Sequence, residues 1–132
     1  MREILFRGKK TGFNEWVQGV VIRPYNDSKL MYSFFDTIAN TLWVVDAETV
    51  GQYTSLTDRN GKKIFEGDIV TQPVRETRKC SPCLVEFRKG KFQAHHISEN
   101  RFFDRYYDIN SYTKIIGNIH DNPELLKGGV EE

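Results

Sequence analysis

The chain has 132 residues and a mass of 15.4 kDa, which suffices for one domain but not for two cores of ordinary size. It carries 19 basic and 18 acidic residues, a formal net charge of +1. This balance excludes a generally basic nucleic-acid binder and an acidic solvating chain. Because 39% of the residues are hydrophobic and 13% are aromatic, disorder over the whole length is excluded as well.

Side-chain shape predicts the fold class. Val, Ile and Thr together number 29, whereas Ala and Leu number 10, and branched side chains fit a pleated surface better than a helix. We therefore predict a mostly β (β-rich α+β) fold in a single compact domain. Its expected parts are an N-terminal β lobe over 1–45, a small SH3-like barrel lobe over 46–126 with a short C-terminal helix, and a mobile tail over 127–132.

The first third of the chain predicts four strands. Residues 3–7 and 16–22 are two of them, with a turn over Gly8 to Gly12. In the second strand, Val17, Gly19 and Val21 are expected on one face. After a loop over 23–28, shorter strands are predicted at 30–35 and 41–45.

Frequent turns organise the rest. Asn60-Gly61 and Glu66-Gly67-Asp68 are turn sequences, and the second delivers Ile69-Val70 into a strand. Residues 84–87 and 92–95 alternate about Arg88 to Lys91, which predicts a hairpin.

The C-terminal part is less regular. Residues 70–84 indicate an exposed loop, and 98–107 are compatible with either a helix or a packed loop. A last strand is expected at 114–119. Asn122 is expected to cap a helix of one or two turns that ends at Lys127 to Gly129.

The sequence has no apolar run long enough to cross a bilayer and no export signal at its start. We therefore expect a cytoplasmic protein with reduced cysteines and no membrane partner.

Several segments of the chain resemble the YopX family of bacteriophage and prophage proteins. The matching segments are 2–7, 49–70 (centred on Val50-Gly51-Gln52-Tyr53-Thr54 and Asp58-Arg59-Asn60-Gly61-Lys62), 85–87 and 116–126. The resemblance implies a small β-rich protein in the cytoplasm of a bacterial host. It implies no catalytic residue, cofactor or ligand, and it does not extend to the Cys80–Cys83 loop or to the aromatic stretch near Phe102.

Cys80-Ser81-Pro82-Cys83, followed by His95 and His96, is a candidate zinc site. Adjacent histidines on a strand point to opposite faces, so His95 is the candidate third ligand, and His120 or water could be the fourth. The alternative, which we prefer, is a surface loop with free thiols, one inward and one outward imidazole, and no metal. A redox role is less favoured, because a strand rather than a helix follows Cys83.

Four acids, Glu48, Asp58, Glu66 and Asp68, lie in one turn-rich stretch and could hold Mg²⁺ or act as an acid/base pair in a metal-dependent hydrolase. Three of them sit in turns, where acids are expected for local hydrogen bonds. No nucleophile with an evident base accompanies them, so we assign no catalytic residue and no cofactor.

Between residues 75 and 91 the chain carries six basic and two acidic side chains. The basic ones are Arg75, Arg78, Lys79, Arg88, Lys89 and Lys91. They could neutralise phosphates beside the stacking faces of Phe87 and Phe92, which makes a nucleic-acid-binding barrel one alternative function. A solvated loop and hairpin tip explains the same residues, and the low net charge of the chain favours that explanation.

Aromatic residues provide a further candidate surface. Phe102, Phe103, Tyr106 and Tyr107 suit a protein interface, although core packing explains at least half of them. Our preferred hypothesis is a non-enzymatic phage or prophage accessory protein that binds a macromolecule. The expected partner is a host or phage protein or further copies of itself, with nucleic acid less favoured.

Overall fold

A computed structural model describes residues 3–71, 82–97 and 104–129 of the chain. Strands dominate this part, and the helical segments within it are short 3-10 turns, so the predicted mostly β class is confirmed. The strands are β1 (Phe6–Lys9), β2 (Trp16–Pro24), β3 (Met31–Asp36), β4 (Thr41–Asp46), β5 (Gly51–Thr57), β6 (Lys63–Phe65), β7 (Asp68–Thr71), β8 (Cys83–Arg88), β9 (Lys91–His96), β10 (Arg105–Asp108) and β11 (Lys114–Asn118). No helix in the described ranges is long and apolar enough to cross a membrane.

The chain divides into two compact units, Met1–Tyr53 and Thr54–Glu132. In the first unit, the strands are antiparallel in the order β4-β3-β2-β1, and the start of β5 pairs with β1. Alternate residues face a core built on Val17, Phe34 and Val45. A bridge between Lys10 and Val45 then joins the end of β1 to β4.

Gly19 is required by the close packing of β2 on β3. A Cβ atom at this position would lie 1.8 Å from the carbonyl oxygen of Phe35. Only a residue without a side chain fits so near a neighbouring backbone. The predicted inward face of Val17, Gly19 and Val21 is confirmed, because Val17 and Gly19 are buried and Val21 packs against the core.

The second unit contains a five-stranded antiparallel sheet in the order β10-β9-β8-β7-β11. Its core consists of Ile64, Val70, Cys83, Val85 and Ala94. The predicted β8–β9 hairpin is confirmed: both Lys89 and Gly90 adopt positive φ at its tip, as a two-residue turn of this kind requires.

Several predicted boundaries need correction. The first strand begins at Phe6 rather than Glu3 and runs through Gly8 and Lys9, which were predicted as turn residues. Strand β2 extends through Arg23 and Pro24, and a 3-10 turn follows at Tyr25–Asp27. Gly8 and Lys9 pair with β2, and Arg23 and Pro24 pair with β3. These backbone partners set the strand boundaries, and the local sequence could not reveal them.

The C-terminal segments also differ from prediction. Within 98–107, the structure describes residues 104–107, and Arg105 to Tyr107 form part of strand β10 rather than a helix or a packed loop. Asn122 does not cap the final helix with its side chain. Its Oδ1 accepts a hydrogen bond from the N–H of Asn118 (3.2 Å), and the helix is a 3-10 segment at Pro123–Gly129 that includes the predicted stop. The SH3-like form of the second lobe stays a prediction.

Candidate functional site

The outward surface of β2, β3 and β4 in the first unit carries a group of apolar side chains. Val20, Phe35 and Leu42 lie directly opposite one another across the three strands, on the face away from the core. Leu42 is 65% exposed. Val44, two residues further along β4, lies on the same face of the sheet as Leu42. We call Val20, Phe35, Leu42 and Val44 the outer face.

A β-bulge widens this apolar surface. The β2–β3 register shifts between Val21 and Arg23, which leaves Ile22 as an extra residue that is 52% exposed. Bulges turn a side chain away from the regular pleat. Both surfaces of the sheet therefore carry apolar residues, whereas one polar surface is expected for a sheet exposed on one side.

In the second unit, a polar cluster around one buried histidine lies on one face of β8, β9 and β10. His95 is 3% exposed, and its Nδ1 lies 2.8 Å from Oε1 of Glu86 while its Nε2 lies 3.0 Å from Oδ2 of Asp104. Tyr106 stacks on the imidazole at 4.2 Å between ring centroids, and the Arg88 guanidinium lies 3.9 Å from the centre of the Tyr106 ring. These five residues are the His95 cluster, which joins three strands through side chains.

The His95 cluster bears on the candidate zinc site. Both ring nitrogens of His95 face carboxylates, so neither directs a lone pair at a metal. Cys83 begins β8 and is fully buried in the core, not in a surface loop as predicted. Because Leu84 pairs with His95, Cys83 faces the opposite side of the sheet from that imidazole. Cys80 lies outside the described residues.

The four candidate acids serve different local structures. Asp58 is 6% exposed and accepts hydrogen bonds from the N–H groups of Asn60 (2.9 Å), Lys62 (3.0 Å) and Ile115 (3.1 Å). Burial raises the pKa of Asp58, but the backbone N–H groups of Ile115, Lys62 and Asn60 lower it more, and the net pKa lies below its ordinary value. This carboxylate therefore ties the Asn60-Gly61 turn to β11.

Asp68 has a similar local role, since its Oδ2 accepts the N–H of Phe65 at 2.7 Å. Glu66 lies in the turn directly before β7. Glu48 belongs to the first unit, in the 3-10 turn at Ala47–Thr49. Within residues 3–71, 82–97 and 104–129, no three His, Cys, Asp or Glu side chains are arranged to hold a metal ion.

Three of the six basic residues between 75 and 91, which we call the basic patch, lie in the described part of the chain, and one of them pairs with an acid. Lys91 Nζ lies 3.0 Å from Oδ1 of Asp108, and this hydrogen bond with Lys91 is the main cause of the lowered pKa of Asp108. Arg88 packs on Tyr106, and Lys89 is at the hairpin tip. Arg75, Arg78 and Lys79 lie outside the described residues.

The two hairpin aromatics are not placed beside these cations. Phe87 and Phe92 pair directly and pack edge to face with ring centroids 5.0 Å apart. Arg88 and Lys91, the next pair along the hairpin, point to the other face of the sheet because side chains alternate. A single groove that combines base stacking with phosphate contacts is therefore not formed by these four residues.

The two described tyrosines of the predicted aromatic surface lie in different surroundings. Tyr106 belongs to the His95 cluster, and Tyr107 packs against the core of the second unit. Phe102 and Phe103 lie outside the described residues. Packing thus accounts for both described tyrosines.

Comparison with known proteins identifies the family. The profile described as YopX protein matches residues 5–127, nearly the whole chain. The chain belongs to the YopX family. The predicted resemblance is therefore confirmed, and the match includes both the outer face and the His95 cluster.

A solved structure with a similar fold is protein EF1440 from Enterococcus faecalis. It is 22% identical to this YopX-family chain, with a TM-score of 0.57, and the match covers 96% of this chain and 100% of that one. At this identity the likeness concerns the fold alone. No match was found among curated proteins.

Sequence reasoning missed two features of this YopX-family protein. Glu86 and Asp104 were not considered as partners of His95, because strand register and not sequence spacing brings them to the two ring nitrogens. The outer face had a visible signal in the alternation of β2, because a strand that places Val17 on one face places Val20 and Ile22 on the other. Its continuation onto Phe35 and Leu42 required the pairing of three strands.

Proposed function

We propose that this YopX-family protein is a phage or prophage accessory protein that binds another protein through the outer face of its first unit. The observation that carries the proposal is the apolar row Val20–Phe35–Leu42, which is directed away from the core and ends in a side chain that is 65% exposed. Exposed apolar patches on soluble proteins mark interaction surfaces. Burying such a row against a partner would supply the hydrophobic driving force for association.

Binding accounts for the titratable groups better than catalysis does. The Asp58 carboxylate accepts three backbone N–H groups, and the two ring nitrogens of His95 face carboxylates. Groups held in this way stabilise the fold and are poorly placed to transfer protons to a substrate. In the described half of the basic patch, the Lys91–Asp108 ion pair weakens the case for nucleic acid as the partner.

The test uses a charged substitution on the outer face with a matched control. Leu42→Asp places a carboxylate at the most exposed residue of the outer face, whereas Ile38→Asp changes an apolar residue that is 86% exposed in the turn before β4. Wild type and both variants would be cross-linked in bacterial host cells that carry the phage or prophage. Cross-linked partners would then be quantified by mass spectrometry, and light scattering of the purified proteins would report self-association.

We expect Leu42→Asp to abolish a specific cross-link or a concentration-dependent oligomer that Ile38→Asp retains. Identical cross-links and identical masses for all three proteins would refute the proposal. Circular dichroism would verify that both variants are folded, as their exposure predicts.

A further inference from the structure

A surface cavity of about 500 Å³ lies in the first unit, lined by Lys29, Leu30, Asp46, Ala47 and Glu48. Its volume is within the range of about 300–1,000 Å³ that is typical of ligand pockets. Asp46 is the last residue of β4 and pairs with Met31, so its side chain lies on the same face as those of Leu42 and Val44. Asp46 therefore connects the cavity lining to the outer face, two residues beyond Val44 on β4.

The charges around this cavity favour a cation. Two carboxylates, those of Asp46 and Glu48, oppose the single ammonium of Lys29. Oδ1 of Asp46 accepts the Thr11 hydroxyl at 2.9 Å, and the Glu48 side chain, which is exposed, makes no hydrogen bond or ion pair within the described part of the chain. Both carboxylates can therefore accept further hydrogen bonds from the donor groups of a ligand.

The cavity also has an apolar wall. Leu30 is 77% exposed although it lines the cavity. A basic side chain has an aliphatic stem that packs on apolar surface while its charged end stays with polar groups. Leu30 can pack against the aliphatic stem of such a side chain, and the two carboxylates can bind its charged end. Arginine suits the site better than lysine, because its planar fork of donors can engage more than one carboxylate oxygen.

We propose that this cavity receives a basic side chain, preferably arginine, from the protein segment that occupies the outer face. This inference rests on the proposed function and defines the chemistry of the partner. Leu42, Val44 and Asp46 follow one another at every second residue along one face of β4. An extended segment alongside them has the same period of two. The expected recognition pattern is thus two apolar residues and a basic residue, each separated by one position (apolar–x–apolar–x–basic), read in either chain direction.

The test is selection from a phage-displayed library of random 12-residue peptides on four immobilised proteins: wild type, Leu42→Asp, Glu48→Lys and Lys29→Ser. A peptide selected on wild type would be synthesised with its basic residue and with glutamate in its place. Fluorescence anisotropy would give the affinity of both peptides for all four proteins. Glu48 and Lys29 are exposed, so neither substitution disturbs the core.

We expect wild type to select the apolar–x–apolar–x–basic pattern. Affinity should fall about fivefold to tenfold with Glu48→Lys or with the glutamate peptide, because an exposed charge pair is exchanged for a repulsive one. Lys29→Ser should bind at least as tightly as wild type, since a like charge is removed. Glu48→Lys should bind the glutamate peptide better than wild type does.

The outcomes separate this inference from the proposed function. Selected peptides that need Leu42 but carry no basic residue, or that bind Glu48→Lys as well as wild type, would overturn the cavity assignment and leave the outer face as a binding surface. Failure to select any peptide that depends on Leu42 would overturn both.

Discussion

Asp58 provides the sharpest test of how the second unit is held together. Its carboxylate joins the Asn60-Gly61 turn to β11, because Oδ1 accepts the N–H groups of Asn60 and Lys62 and Oδ2 accepts that of Ile115. Replacement by alanine leaves all three N–H groups without this acceptor. Asn60 and Lys62 are exposed and can turn to water, whereas Ile115 is half-buried.

The expected loss follows from these environments. A hydrogen bond to a charged group contributes about 1.5–3 kcal/mol. Because water can replace two of the three, we expect Asp58→Ala to lower the free energy of unfolding by roughly 3 kcal/mol. Asp58→Asn should cost roughly 2 kcal/mol, since its amide oxygen can serve the turn while its NH₂ group faces the Ile115 N–H, donor against donor.

The pH dependence has a definite sign. The pKa of Asp58 in the folded protein lies below the ordinary value of 3.8. The ionised carboxylate therefore stabilises the fold fully above that ordinary value, and the contribution is lost as the pH falls through the lower folded pKa. The stability difference between wild type and Asp58→Asn should be constant from about pH 5 to 8 and shrink below about pH 4.

Urea unfolding monitored by circular dichroism would measure these differences, and amide hydrogen exchange would report on β11 directly. The Ile115 amide should lose protection in both variants. Wild-type urea midpoints in both variants, or an Asp58→Asn penalty that is undiminished at pH 2, would refute the assigned role.

Three further predictions follow from buried contacts. His95→Ala should lower the free energy of unfolding by roughly 3 kcal/mol, because it leaves a cavity at a buried imidazole and removes the hydrogen-bond partner of two carboxylates; an unchanged urea midpoint would contradict this. Cys83 should resist alkylation in the folded protein, as quantified by mass spectrometry for each cysteine, and Cys83→Val should cost within about 1.5 kcal/mol as a change of similar volume; rapid labelling would show that the site opens. Gly19→Ala should cost roughly 3 kcal/mol or abolish folding because of the clash with the Phe35 carbonyl, whereas Gly12→Ala, which has open space but a φ of +83°, should cost about 1–2 kcal/mol. Equal melting temperatures for the two glycine variants would contradict the steric argument.

Local patterns predicted those parts of the fold that local physics determines. The β8–β9 hairpin follows from alternation on both sides of Lys89-Gly90, and β2, β3 and β4 follow from runs of branched and aromatic side chains. Strand β10 was not predicted, because Tyr106 and Tyr107 have helix-like spacing with Phe102 and Phe103, and only pairing with β9 makes their segment a strand.

The candidate sites also depend on strand pairing, which local sequence patterns do not give. Sequence proximity suggested that Cys83 and His95 could act together, but the pleat directs them to opposite faces of one sheet. The partners of His95 are nine residues away on either side, at Glu86 and Asp104. Such partners depend on register, which a single sequence does not disclose.

The bridge between Lys10 and Val45 has a consequence for how this protein can evolve new partners. Together with the hydrogen bond from the Thr11 N–H to the Val44 carbonyl (2.9 Å), it occupies backbone groups on the rim of β4. A foreign strand therefore cannot extend the sheet at Val44 and Val45. Binding at this location therefore depends on side-chain contacts and not on main-chain hydrogen bonds. Single substitutions on the surface can exchange one partner for another, while the hydrogen-bonded sheet beneath stays intact.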